Sequence, residues 1–95
     1  MGLLFKTVDE KLEEIGFKKI KEDKYGAEYE RYNEQFKFTQ KLDIMHKLSG
    51  NHIVQSYDVN SCTSKGCNMV GLNYKEMKLA LAKMKELGYD KPKRK

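Results

Sequence analysis

The segment 36–48 constrains the fold more than any other part of the chain. Phe36, Phe38, Gln40, Leu42, Ile44, His46 and Leu48 alternate with Lys37, Thr39, Lys41, Asp43, Met45 and Lys47. An alternation of that length is a β-strand with one buried and one solvated face. After Ser49-Gly50-Asn51 the pattern resumes at Ile53, Gln55, Tyr57 and Val59, so the two runs form a hairpin. Keeping Leu48 and Ile53 on one face requires a loop of even length, because an odd one turns every side chain of the second strand over. Among even loops, Lys41 opposite Asp58 is favoured over Asp43 opposite Asp58, where like charges would meet.

Thr7 and Glu10 form a capping box ahead of Val8, Leu12 and Ile15, which share one helical face. This predicts a first helix over 6–15, ended by Gly16 in the left-handed region with Phe17 folding back onto it. Two shorter strands follow, at 17–23 and 26–32. A tight turn at Asn33-Glu34 would set Tyr29 against Phe38 and Glu30 against Lys37. The first strand has only Phe17 and Ile20 to bury. It therefore belongs at an edge, where Lys18, Lys19, Lys21 and Lys24 discourage strand addition.

A connection at 60–72 leads to a second capping box, Asn73 with Glu76, and to a staple between Leu72 and Met77. The second helix is expected to bury Tyr74, Met77, Ala80, Leu81, Met84 and Leu87, and to end at Gly88. The expected fold is α+β, one domain over 1–90 in the order α-β-β-β-β-α, an antiparallel sheet with two helices on one face. A basic tail, 91–95, follows. A chain of 95 residues suits a single core.

The chemistry-bearing residues do not assemble in this reading. His46 shares the core face with Ile44, whereas any even loop turns His52 to the opposite face, so the two cannot join Cys62 and Cys67 around zinc. The cysteines are spaced more loosely than a zinc knuckle. Met1-Gly2-Leu3-Leu4-Phe5 is too short for an export signal, which points to the cytoplasm and to incidental thiols rather than a disulfide. Asp58-Val59-Asn60-Ser61-Cys62 opens like a calcium loop, but Thr63 and Met69 stand where glycine and a bidentate glutamate are needed. No catalytic residue, metal or cofactor is expected. No apolar run reaches the ~18–20 residues of a membrane span, so no membrane partner is expected either.

The net charge of +5 has a definite location. Residues 1–72 balance, while 73–95 carry eight basic side chains against Glu76, Glu86 and Asp90. A helical wheel places Lys75, Lys78, Ala82, Lys83, Lys85 and Glu86 outward, with Leu79 among them. The candidate partner-binding residues are Lys75, Lys78, Leu79, Lys83, Lys85, Lys93, Arg94 and Lys95. A localised positive field of this kind suits an acidic protein surface, a ribonucleoprotein or nucleic acid. A homodimer joined through Leu79 or the edge strand is a further reading.

Two resemblances bear on these residues. Helix-strands-helix, closing on Lys75-Glu76-Met77-Lys78-Leu79-Ala80-Leu81-Ala82-Lys83, is similar to the double-stranded-RNA-binding domain. That likeness implies phosphate contacts at Lys75 and Lys78. The chain departs from the family in lacking its Gly-Pro-x-His loop, in a longer loop before the last helix and in Glu76 within the lysine cluster. Over nearly its whole length the chain looks like the small accessory proteins of phages and prophages of Gram-positive bacteria. The likeness lies in its lysine content, the hairpin Ser-Gly-Asn-His-Ile-Val-Gln-Ser-Tyr and the closing Gly-Leu-Asn-Tyr-Lys-Glu-Met-Lys. It implies a non-catalytic protein that binds and modulates a host or phage component; the leading expectation is a host protein or ribonucleoprotein bound through the basic second helix.

Overall fold

A computed structural model describes residues 6–47 and 49–89. Leu48 and the tail residues Lys93, Arg94 and Lys95 lie outside them. Helix α1 (Val8–Glu14) is followed by strands β1 (Lys18–Asp23), β2 (Gly26–Asn33), β3 (Phe38–His46) and β4 (His52–Asp58). A short 3-10 turn (Val59–Ser61) and a loop then lead to helix α2 (Tyr74–Glu86). The strands form one antiparallel sheet in the order β1-β2-β3-β4. The α+β architecture is the expected one.

Both helix starts follow the sequence. Thr7 accepts from the Glu10 N–H while Glu10 accepts from the Thr7 N–H, and Asn73 and Glu76 repeat the exchange. Gly16 at φ +99° lets the Phe17 N–H reach the Leu12 carbonyl at 2.9 Å. Gly88 at φ +85° lets the Tyr89 N–H reach Met84 in the same way. Leu12, Phe17, Ala27, Tyr29, Leu42, Ile44 and Ala80 form the buried core. Leu12 and Ala80 join Ala27, Tyr29, Leu42 and Ile44 in one buried cluster, so both helices cover one face.

The β3–β4 hairpin differs from expectation in its face. The Lys47 N–H bonds the Asn51 carbonyl, Gly50 turns back at φ +94°, and His46 pairs with His52 across an odd number of residues. That odd count turns β4 over. Val54 and Ser56 face inward beside Ile44 and Leu42, while Ile53, Gln55 and Tyr57 lie opposite Met45, Asp43 and Lys41. Asp58 pairs with Gln40, not Lys41, and His52 stands directly across from His46 on the same face. Apolar residues on both faces of the strand, Ile53 and Val54 side by side, left the sequence pattern ambiguous.

Two smaller departures are local. The Phe36 N–H bonds the Asn33 side chain at 2.9 Å, Lys37 adopts φ +56°, and the turn takes four residues. Tyr29 therefore opposes Leu42, Glu30 opposes Lys41, and Phe36 is exposed. In β1 a bulge between Lys19 and Lys21 takes Ile20 out of the ladder and leaves it exposed. β1 is an edge strand, as expected. The other edge, β4, is partly covered: the Asp58 N–H bonds Asn68 and the Val70 N–H bonds Ser56, at 2.9 and 2.8 Å.

Candidate functional site

The rotation of α2 is set by two charged side chains that the sequence assigned elsewhere. Glu76 is buried, accepting from Arg31 at 2.8 Å. Arg31 also donates to the Ile15 carbonyl and to Gln40, and its guanidinium lies 4.2 Å from the centre of the Phe17 ring. Gln40 donates onward to Ser56. Two turns along α2, Lys83 is 1% exposed and pairs with Glu86 at 2.7 Å, Glu22 at 2.9 Å and Asp9 at 3.2 Å. A buried charge is tolerated only when paired in this way.

The placement of Lys83 on the outer face is thus corrected: it is the inward anchor of the helix. Burial opposes its charge, and the Glu86, Glu22 and Asp9 carboxylates overcome that and raise its pKa. Asp9 is the counterpart. Burial raises its pKa, but hydrogen bonds from Lys19, Tyr29 and Lys83 prevail and hold it down at about 2.

With Glu76 and Lys83 turned inward, three of the side chains expected in the core turn outward, while Ala80, Met84 and Leu87 keep to it as expected. Tyr74, Met77 and Leu81 are 76%, 48% and 60% exposed. They stand at positions i, i+3 and i+7, on one face of the helix. Leu79, expected on the surface, is partly buried against the core. Lys75, Lys78 and Lys85 are exposed as predicted.

The structure brings Lys75, Lys78 and Leu79 together. They line a shallow groove of about 270 Å³ with Lys11 and Tyr74, between the two helices. The Lys78 ammonium sits 5.2 Å from the Tyr74 ring centre. Lys11 and Tyr74 escaped the sequence reading: the first belongs to another helix, and the second was assigned inward by a wheel phased on its apolar residues. The signal that could have set the phase was Glu76 and Lys83, seven residues apart on one stripe.

The opposite sheet face carries a different arrangement. Lys41 bonds Glu28 at 2.9 Å, which lowers the Glu28 pKa. Asp43, 8% exposed, accepts from the Tyr57 hydroxyl at 3.1 Å through one oxygen. Its other oxygen has no partner among the described residues. Burial pushes the Asp43 carboxyl up.

Two sequence readings of the chemistry are corrected. Cys62 and Cys67 are joined by a disulfide, so they are neither incidental thiols nor thiolate ligands. His46 and His52 are neighbours rather than residues of opposite faces. Among the described residues no group of three or more His, Cys, Asp or Glu side chains is placed to hold a metal ion. Among them, too, no helix is long and apolar enough to cross a membrane. No known family model matches the chain, and no curated protein or solved structure is similar to it.

Proposed function

We propose that this protein is a non-catalytic binding module that docks on an acidic surface of a protein or ribonucleoprotein, as accessory proteins of mobile elements do on host components. The observation that supports this reading is the interhelical groove. Three lysines from two helices, Lys11, Lys75 and Lys78, surround the apolar surface of Tyr74 and Leu79. A cationic rim around an exposed aromatic ring suits a partner whose carboxylates flank an apolar side chain. Met77 and Leu81 extend the apolar contact along α2.

Affinity capture from a nuclease-treated Gram-positive lysate tests the reading. A Lys75→Ala/Lys78→Ala variant, and separately Tyr74→Ala, should each lose at least tenfold of the captured partner while keeping the wild-type circular dichroism. Capture that both variants leave unchanged would remove the groove from the function.

The positions of Lys75 and Lys78, exposed on the first turns of α2, also support direct duplex binding. Fluorescence anisotropy with labelled duplex RNA and DNA across a salt series separates the two readings. Phosphate contacts would give a steep fall in affinity with salt, reduced in the double-alanine variant.

A further inference from the structure

We propose that His46 and His52 together form a binding site for a divalent transition-metal ion of the imidazole-preferring class, with Cu²⁺ the tightest and Zn²⁺ and Ni²⁺ weaker. The register of β3 and β4 places the two histidines directly across from each other. The His46 N–H bonds the Tyr25 carbonyl of the neighbouring hairpin, and Lys47 and Asn51 make the last bond of the β3–β4 ladder. His46 and His52 therefore occupy a non-hydrogen-bonded pair, where cross-strand side chains come closest.

Their Nδ1 atoms lie 3.1 Å apart, closer than the ring centres at 4.8 Å, and the ring planes differ by 22°. The two Nδ1 atoms are thus the nearest edges of two nearly parallel rings. A gap of this size is spanned by two metal–nitrogen bonds of about 2.0–2.1 Å that meet close to a right angle. Tyr89 stacks on both imidazoles, 4.5 Å from His52 and 5.2 Å from His46, and holds them in register.

Without metal, one Nδ1–H donates a hydrogen bond to the other Nδ1. On binding, that proton moves to the far nitrogen of its own ring, so two neutral imidazoles ligate and no net charge is displaced. Water completes the coordination. Imidazole donors favour copper, nickel and zinc, and the ordinary order of stability puts Cu²⁺ first.

The chain has two histidines in all, and its cysteines are bonded to each other, which makes the site simple to isolate. Calorimetric titration of the full chain with CuCl₂, ZnCl₂ and NiCl₂ should show one ion per chain, Cu²⁺ tightest. His46→Gln and His52→Gln should each weaken Zn²⁺ at least tenfold. In the unmodified chain, NMR should show the imidazole signals of both residues shifting together, complete at one equivalent of Zn²⁺. A response from only one histidine, or uptake unchanged in either variant, would overturn the site. The NMR result stands even if a variant fails to fold.

Discussion

Lys83 shows how one residue can reverse the apparent polarity of a helix. Its ammonium carries three carboxylates from three elements, Asp9 of α1, Glu22 of β1 and Glu86 of α2, while its stem fills space that a leucine would otherwise occupy. Replacing it with methionine keeps much of the volume but strands the carboxylates. The expected loss is about 2 kcal/mol. That is less than the ~3–5 kcal/mol for breaking a fully buried pair, because these carboxylates stay about a third or more exposed. Urea unfolding of Lys83→Met, beside Lys85→Met as an exposed control within about 0.5 kcal/mol of wild type, measures this. Equal stabilities for the two variants would contradict the anchoring role.

At the scale of the element, local chemistry was legible and phase was not. Both capping boxes and both glycine endings follow from residues a few positions apart, so the sequence carries them in full. The face that α2 buries depends on Arg31 and on Asp9 and Glu22, all distant in the chain, and hydrophobic periodicity has no knowledge of them. The β4 face failed for a related reason. Ile53 and Val54 are equally apolar, so a single residue in the bend decided which turned inward. Of the candidate site, Lys75, Lys78 and Leu79 were found because charge and spacing are local, while Lys11 and Tyr74 required the packing of one helix on the other.

The 59–72 connection contributes no fully buried side chain. Its Cys62–Cys67 bond closes a small loop around the Thr63–Gly66 turn, next to the segment that pairs with β4. For a loop this short, chain entropy predicts about 2 kcal/mol of stabilisation. The Cys62→Ser/Cys67→Ser variant should lose that amount in urea unfolding. The native chain, unfolded without reductant, should take up no iodoacetamide. Labelling at both cysteines under those conditions would refute the bond.

For the molecule as a whole, paired carboxylates set the acid limit. The folded pKa of Asp9 lies near 2, and those of Glu22 and Glu28 are also depressed, the first by Lys83 and Lys19 and the second by Lys41. A depressed carboxylate contributes stability above its unfolded pKa, near 3.8 for Asp and 4.5 for Glu, and loses it as pH falls through the folded value. Asp43 has the opposite sign. Its raised pKa favours folding below 3.8, and that contribution disappears as pH rises through its folded value. Three groups oppose one, so the urea midpoint should fall between pH 4.5 and 2. Asp9→Asn should flatten part of that slope, and a midpoint independent of pH would disprove the balance.

The order β1-β2-β3-β4 means that every strand pairs with its neighbour in sequence, across bends of only a few residues. Each such closure costs little chain entropy, so the sheet can assemble one hairpin at a time. The one closure that spans most of the polypeptide is the seam between α1 and α2, where Asp9 meets Lys83. Chain entropy therefore predicts that the two helices meet last, through the Asp9–Lys83 pair and the apolar core that Leu12 and Ala80 share, and that the groove between them forms only then.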